Sequence, residues 1–430
     1  MLVEFKVKNF LSFKKEVTFS MLTSGKNEHP ENLIPFDENN NEYLLKTALI
    51  YGANASGKTN FLKAIGNLCL QVMTSKNMST SDEIDVAPYL FDDKTPNEKS
   101  FFEIRFIQNN TLYIYGVELD SKLIYQEYLY KSPEGKFNAK PIKIFERTND
   151  ENHNLNINVS KLKKKYLTES AHNRLYLSVA GFWEDPSLVD AYKWFEEKVK
   201  VFIPYMTYGE DLHGYTIRRI INKPKEQKNY ADKIVSVFKK IDTGITGLKI
   251  TAYKPVESKI PKNISSEQKK QILELIEEEE IIRLESVHKV EGKEYPLNFM
   301  NESSGTQRAL DLIGVLIDII QKNGLLIIDE LENSLHSELA KELIKSLHKN
   351  NCNAQIIFTT HDTSLMNLDI FRRDQFWFTE KKHKQQYSEL FCLDEIKGIR
   401  NNENIQKKYL LGRYGAFPYI NLETEGGLCK

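Results

Sequence analysis

The sequence predicts an α/β fold: a glycine-bounded phosphate loop between a strand and a helix, a second α/β stretch at residues 301–380, and a helical lobe inserted between them. Three observations support it. "KTALIYGANASGKTNFLKAIGNLCLQVM" joins a short apolar strand to an amphipathic helix carrying Phe61, Leu62, Ile65, Leu68 and Cys69 on one face. Residues 301–380 alternate helix, strand, helix, strand. From about 160 to 300, "VDAYKWFEEKVKVF", "YADKIVSVFKKI" and "SSEQKKQILELIEEEE" read as helices separated by Pro- or Gly-containing connections.

The remaining elements follow in chain order. "LVEFKVKNF" alternates with period two at Val3, Phe5 and Val7, and "EVTFSM" follows a polar turn, so the chain opens as strands. "SFFEIRFI" and "TLYIYGVELD" form a hairpin turning at Asn109-Asn110, and "KLIYQEYLYK" extends that sheet. After the helical stretch, "IIRLESVHKV" and "EYPLNF" lead back to the core as strands. "FWFTEKK" and "SELFCLDEI" add edge strands before a polar tail containing "GRYGAFPYINLE". The expected divisions are 1–160, 161–300, 301–400 and 401–430. There is no internal repeat, no low-complexity tract and no heptad run long enough for an extended coiled coil.

Composition narrows the class. A chain of 430 residues, 40% of them hydrophobic, is expected to form two or three lobes with a sizeable core. Lys plus Arg (59) nearly equals Asp plus Glu (60), so any nucleic-acid contact would need a local basic patch. Cys69, Cys352, Cys392 and Cys429 are scattered without a CxxC pair, which fits reduced thiols in a cytosolic protein rather than disulfides or zinc. The first residues lack a signal-peptide apolar region. The most apolar window, "ALDLIGVLIDIIQKNGLLIID", is broken by Asp311, Asp318 and Gln321-Lys322-Asn323, so it reads as a buried helix and strand. A soluble, cytoplasmic protein with no membrane contact is expected.

Four motifs carry chemistry. Gly52-Ala53-Asn54-Ala55-Ser56-Gly57-Lys58-Thr59 matches GxxxxGK[ST] in its confirming context, with a strand before and a helix after. The glycines let backbone N–H groups curl around phosphate oxygens, and the helix N-terminus adds its dipole. Lys58 would reach the β- and γ-phosphates, and Thr59 would hold Mg²⁺. "GLLIIDELENSLH" (324–336) is an apolar strand delivering Asp329 and Glu330 at its carboxyl end. Beside a phosphate loop, Asp329 would coordinate Mg²⁺ directly or through water, and Glu330 would orient or deprotonate the attacking water. "NESSGTQRALDLIG" (301–314) sets a Ser-Ser-Gly run at a helix start, a second anion-binding end, with Gly305 lying 24 residues before Asp329. "IIFTTHD" (356–362) is a buried strand ending at His361, 32 residues after Asp329, with an amphipathic helix between.

Phosphate loop, signature, Walker B strand, D-loop and switch histidine stand in the order of the ABC/SMC/RecF-like ATPases, and the chain resembles an ABC-type P-loop ATPase head with an inserted helical lobe. "VKNFLSF", "ESSGTQR", "DELENSLH", "FTTHD" and "GRYGAFP" together resemble the RloA/AbiL-like ATP-binding proteins. The resemblance covers both ends of the chain well and the 160–300 insertion loosely. It implies ATP and Mg²⁺ as cofactors. Gly52, Asn54, Ala55, Ser56, Gly57, Lys58, Thr59 and Asn60 would bind the nucleotide in one subunit, and Ser303, Ser304 and Gly305 would complete the site of a second. Thr59 and Asp329 would hold the metal, Glu330 and His361 would serve hydrolysis, and Ser334 would face the partner's site. The resemblance further implies an ATP-dependent head-to-tail dimer or higher homo-oligomer. It also implies a role as sensor or regulator in bacterial anti-phage or abortive-infection systems, beside a nuclease-type partner encoded nearby. The 161–300 insertion, which carries none of the ATP motifs, would supply partner contacts.

One departure stands out: no glutamine lies between Val72 and Lys99, where ABC enzymes place their Q-loop, and slow hydrolysis is expected with it. The competing reading is a RecF- or SMC-like ATPase acting directly on DNA. An SMC protein needs a long coiled-coil arm, and a RecF-like one needs a basic face, for which "KLKKKY" (161–166) and "EKKHKQQ" (380–386) are the candidates. Such runs are ordinarily solvated surface. A nuclease of the OLD type would need a TOPRIM domain behind the ATPase, and the residues after the last core strands are too few for one.

Overall fold

The computed structural model describes residues 1–25, 28–37, 42–133, 139–150, 155–159, 171–204, 212, 214–222, 227–241, 243–253, 265, 281–382, 384, 386–399 and 403–417. "KLKKKY", the helix expected over "SSEQKKQILELIEEEE" apart from Ser265, and the end of the tail lie outside the described residues. The chain divides into two compact units. One holds residues 1–210, 318–332 and 340–430; the other holds 211–317 and 333–339.

Among the described residues the first unit contains two large sheets and a two-stranded one, Leu33–Asp37 with Glu42–Leu45. Seven antiparallel strands run in the spatial order Leu155–Val159, Ile142–Asn149, Ile124–Lys131, Thr111–Leu119, Ser100–Gln108, Leu2–Lys8, Val17–Ser20. The alternation read from the sequence is the reason for the pairing. Val3, Phe5 and Val7 are buried, while the opposite face pairs Glu4 with Arg105 and Lys6 with Glu103, the latter at 3.1 Å. Opposite charges facing each other across strands stabilise this register and would repel in a slipped one. Asn109 and Asn110 both take positive φ (48° and 57°), as a two-residue hairpin turn requires.

The second sheet is parallel except at one edge: Val199–Phe202, Leu325–Ile328, Gln355–Thr359, Thr47–Tyr51, Phe376–Lys381, then antiparallel Ser388–Cys392. Its three central strands are buried at every position, as a parallel sheet covered on both faces demands. The helix Lys58–Thr74 packs Phe61 against Phe5, Phe13 and Phe19, with ring centroids 6.0, 6.1 and 5.3 Å apart. Gln355, fully buried, accepts from the Leu2 N–H and donates to the carbonyls of Leu2 and Leu45, tying the two sheets together.

Two local expectations are corrected. "VDAYKWFEEKVKVF" is helical only at Val189–Lys193 and opens into a π-turn at Trp194–Lys198. "VKVF" is then a strand pairing parallel with Leu325–Ile328. Val199, Val201 and Phe202 favour extended chain and find a partner edge, and tertiary pairing overrides the helical pattern upstream. The first compact unit accordingly takes in the chain up to residue 210.

In the second unit, "IIRLESVHKV" and "EYPLNF" are strands as expected, but they do not return to the core sheet. With Ile245–Tyr253 they make a separate three-stranded antiparallel sheet, beside helices Tyr215–Asn222 and Gln227–Phe238. Asp311 accepts from the N–H groups of Gly214 (2.7 Å) and Thr216 (3.1 Å), satisfying donors at the start of the first of these helices. Among the described residues, no helix is long and apolar enough to cross a membrane. The described cysteines are all free, and burial pushes the thiols of Cys69 and Cys392 up to about 12.

Candidate functional site

The glycine loop leaves the strand Thr47–Tyr51 and enters the helix Lys58–Thr74. Ala55 (φ 61°) and Gly57 (φ 115°) take left-handed conformations, which turn the chain tightly enough to form a cradle. The loop is clamped by segments distant in sequence. Ser56 Oγ and Thr379 Oγ1 lie 2.6 Å apart, Ser388 Oγ donates to the Ser56 carbonyl at 2.6 Å, and the Ser388 N–H donates to Ser12 O at 2.8 Å. Asn60 Nδ2 completes the belt by donating to Ser12 Oγ at 3.0 Å.

This packing gives the first prediction. A Cβ on Gly57 would stand 2.5 Å from Ser388 Oγ and 2.9 Å from Ser388 Cβ, at a φ that L-residues avoid. Gly57→Ala is expected to destabilise the fold by about 1–3 kcal/mol, read as a lower denaturant midpoint. Adding Ser388→Gly should recover the contact part and leave the backbone part. A midpoint equal to wild type in the single variant would mean the clamp is loose.

Lys58 and Thr59 open the helix. Lys58 is buried, and its Nζ donates to the carbonyls of Gly52 (2.8 Å) and Ala53 (3.1 Å). Burial lowers its pKa, opposed by the carboxylates of Asp329, Glu330 and Glu332. Thr59 Oγ1 donates to Asp329 Oδ2 at 2.9 Å, and Thr359 Oγ1 donates to Asp329 Oδ1. Thr359 Oγ1 also accepts from the Glu330 N–H at 2.8 Å, and the Thr359 carbonyl accepts from Leu331 N–H at 3.2 Å. Glu330 itself is exposed, with φ 49°. His361 is exposed too, and its N–H donates to Glu332 Oε1 at 2.6 Å. Partial desolvation, then the Lys58 ammonium, lower the pKa of His361 against the pull of Glu332, Glu330 and Asp329.

The predicted residues fall into two groups. Gly52, Asn54, Ala55, Ser56, Gly57, Lys58, Thr59, Asn60, Asp329, Glu330 and His361 all belong to the first unit. Ser303, Ser304 and Gly305 belong to the second, together with Ser334. There, Ser303 Oγ caps the helix Ser304–Lys322 by accepting from the Thr306 N–H at 3.1 Å. A Cβ on Gly305 would lie 2.9 Å from the Ser334 carbonyl, so a glycine is needed where the helix start meets the D-loop. Glu302, one residue earlier, is held by Ser286 and by His288 Nε2 at 2.7 Å.

Sequence reasoning missed Thr359, Glu332 and the Ser12–Thr379–Ser388 clamp. "FTTHD" and "DELE" display the first two as strand-end polar residues, but only the parallel pairing of Leu325–Ile328 with Gln355–Thr359 sets them side by side. The segment expected to contain a Q-loop has no glutamine. Asn9 Nδ2 donates to the carbonyls of Thr95 (2.8 Å) and Glu98 (2.9 Å), and Leu90 and Phe91 stand exposed. The buried Gln71, on the loop helix, donates to Asn67 Oδ1 at 2.6 Å and to the Asp85 carbonyl at 3.2 Å. Of the basic run at 380–386, Lys382 pairs with Glu380 (3.2 Å) and Glu389 (3.1 Å), which compensates its charge locally.

These side chains fit a Mg²⁺-nucleotide. A hydroxyl and a carboxylate oxygen, the hard donors Mg²⁺ takes, meet at Thr59 and Asp329. Lys58 stands at the end of the loop, its ammonium donating to the loop carbonyls of Gly52 and Ala53. Gly52, like Gly57, sits where a Cβ would collide, 2.5 Å from Ser56 Oγ and from the Thr379 carbonyl.

The chain is similar to solved structures of two SMC heads. One is the SmcHead bound to the C-winged helix domain of ScpA: 13% identity, 91% of this chain and 97% of that one covered, TM-score 0.46. The other is the SMC head domain from Thermotoga maritima: 12% identity, 91% and 98% covered, TM-score 0.40. No curated protein matches the chain. A family does, over residues 48–367, a span running from the phosphate-loop strand past His361. With its phosphate loop set between a parallel strand and a helix, the chain belongs to the AAA-domain family described as a putative AbiEii toxin of type IV toxin–antitoxin systems.

Proposed function

We propose that this protein binds and hydrolyses ATP with Mg²⁺, and that it serves as the sensor or regulator subunit of a bacterial anti-phage system acting through a nuclease-type partner. The observation that carries the ATPase reading is the meeting of Thr59 with Asp329 beside the buried Lys58. Bound Mg²⁺-ATP would supply the electrophilic γ-phosphate. The chain's own residues do the rest. Gly52–Asn60 wrap and orient the phosphates, Thr59 and Asp329 hold the metal, and Thr359 fixes Asp329. Glu330 would take or direct the proton of the attacking water, and His361 would serve hydrolysis beside it. The defence role is supported by the family's description as a toxin of toxin–antitoxin type and by the RloA/AbiL-like motifs. Self-association is part of the proposal, because Ser303 and Ser304 are exposed at a helix start, with Gly305 beside the exposed Ser334, an arrangement suited to a second copy's nucleotide. Residues 161–300 are proposed to carry partner contacts, since they hold none of the ATP motifs.

Lys58→Ala tests the core of this reading. Its loss removes the cation that neutralises phosphate charge, so ATP affinity and turnover should both fall, with phage protection lost in the same strain. Isothermal titration with a non-hydrolysed ATP analogue and a phosphate-release assay measure the two. Wild-type turnover in the variant would mean that nucleotide binds elsewhere.

A further inference from the structure

The segments 329–332 and 359–361 are zipped together by four hydrogen bonds. Thr359 Oγ1 donates to Asp329, Glu330 N–H donates to Thr359 Oγ1, Leu331 N–H donates to the Thr359 carbonyl, and His361 N–H donates to Glu332 Oε1. The first three depend on Thr359 and lie at the strand ends. The last depends on the Glu332 side chain and is the one bond of the four that reaches His361. Glu332 Oε2 is buried and has no hydrogen-bond partner among the described residues, so the carboxylate's pose is set by the His361 amide through Oε1. Lys58, His361 and Glu332 are also close enough to feel one another's charge.

We propose that Glu332 is a positioning residue for hydrolysis, fixing the backbone of His361 at the end of its strand. The inference rests on the ATPase reading above. A carboxylate is suited to the task because a charge-assisted bond to a backbone N–H is stronger and better localised than a neutral one. Glu332 directly precedes Asn333 and Ser334 in the chain. The fold does not need this link, since the three bonds around Thr359 join the same two segments without it.

The test compares Glu332→Ala and Glu332→Gln with wild type and Lys58→Ala. In nucleotide-free protein, residue-resolved hydrogen exchange at the His361 amide should accelerate about tenfold in Glu332→Ala, the worth of one charge-assisted bond. With ATP, kcat should fall about 10²-fold, as expected when a group near the chemistry is misplaced, while KM stays at the wild-type value. Glu332→Gln retains an acceptor oxygen and should restore both readouts most of the way. Unchanged exchange at His361 in Glu332→Ala would overturn the proposal. So would wild-type kcat accompanying lost protection, or a glutamine variant no better than alanine in exchange and turnover. Wild-type protein with no more turnover than Lys58→Ala would instead remove the ATPase reading itself, a result the exchange measurement cannot mimic.

Discussion

Glu330→Gln is expected to bind ATP and to turn it over ~10²–10⁴-fold more slowly, the usual contribution of general-base assistance. The geometry around this residue isolates the effect. Its backbone N–H is held by Thr359 Oγ1 at 2.8 Å and its φ is 49°, so the main chain is fixed independently of the carboxylate. Replacing the carboxylate by an amide keeps size and removes the base. With ATP unspent, a second copy's Ser304–Gly305 helix start should stay closed on it, and an ATP-dependent dimer should accumulate. Adding Ser304→Arg drives bulk into that contact and should release the dimer. Size-exclusion chromatography with light scattering, with and without ATP and Mg²⁺, reads both outcomes. An oligomeric state indifferent to nucleotide and to both substitutions would point to a fixed scaffold instead.

Glu127→Ala is expected to cost stability, not chemistry. Glu127 and Arg147 form an ion pair with neither side chain exposed, Nε to Oε2 at 2.9 Å though off the hydrogen-bond axis. Glu127 also accepts from Tyr115 Oη (2.9 Å) and from the N–H groups of Tyr176 (2.7 Å) and Leu177 (3.0 Å), which open the helix Tyr176–Phe182. Truncation would leave a buried guanidinium short of its counter-charge and three donors without an acceptor, a loss of about 3–5 kcal/mol. All three tryptophans (183, 194 and 377) lie in the first unit, so fluorescence-detected denaturation reports on the affected part of the chain. Combining Glu127→Leu with Arg147→Met, which removes both charges, should recover much of the loss. A single variant within about 1 kcal/mol of wild type would mean water reaches the pair.

The parts of the site legible in the sequence are those contiguous in it. Gly52–Thr59 declares itself because strand, loop and helix follow without interruption, and Asp329-Glu330 because four apolar residues deliver them. Thr359 and Glu332 were hidden, since their roles arise from which strands become neighbours, and parallel neighbours are chosen by burial rather than by local pattern. Val199–Phe202 was misread for a related reason. Four residues at the end of a helical stretch offer too short a period to reveal a strand, and the edge they pair with lies more than a hundred residues away. The second unit's sheet was half visible. Ile281–Val290 and Lys293–Asn298 read as strands, but their partner Ile245–Tyr253 did not, although Leu248, Ile250 and Ala252 alternate with Lys249 and Thr251.

The belt around the glycine loop also sets a schedule for the protein's birth. Ser56 meets Thr379 and Ser388 across 323 and 332 residues of chain. At a synthesis rate of roughly 5–20 residues per second, those partners leave the ribosome on the order of tens of seconds after the loop does. Throughout that interval the nascent chain displays the whole nucleotide motif without the structure that shapes it. The clamp on this loop can therefore form only after nearly the whole chain has been made. The last partner to arrive is Ser388, on the edge strand Ser388–Cys392.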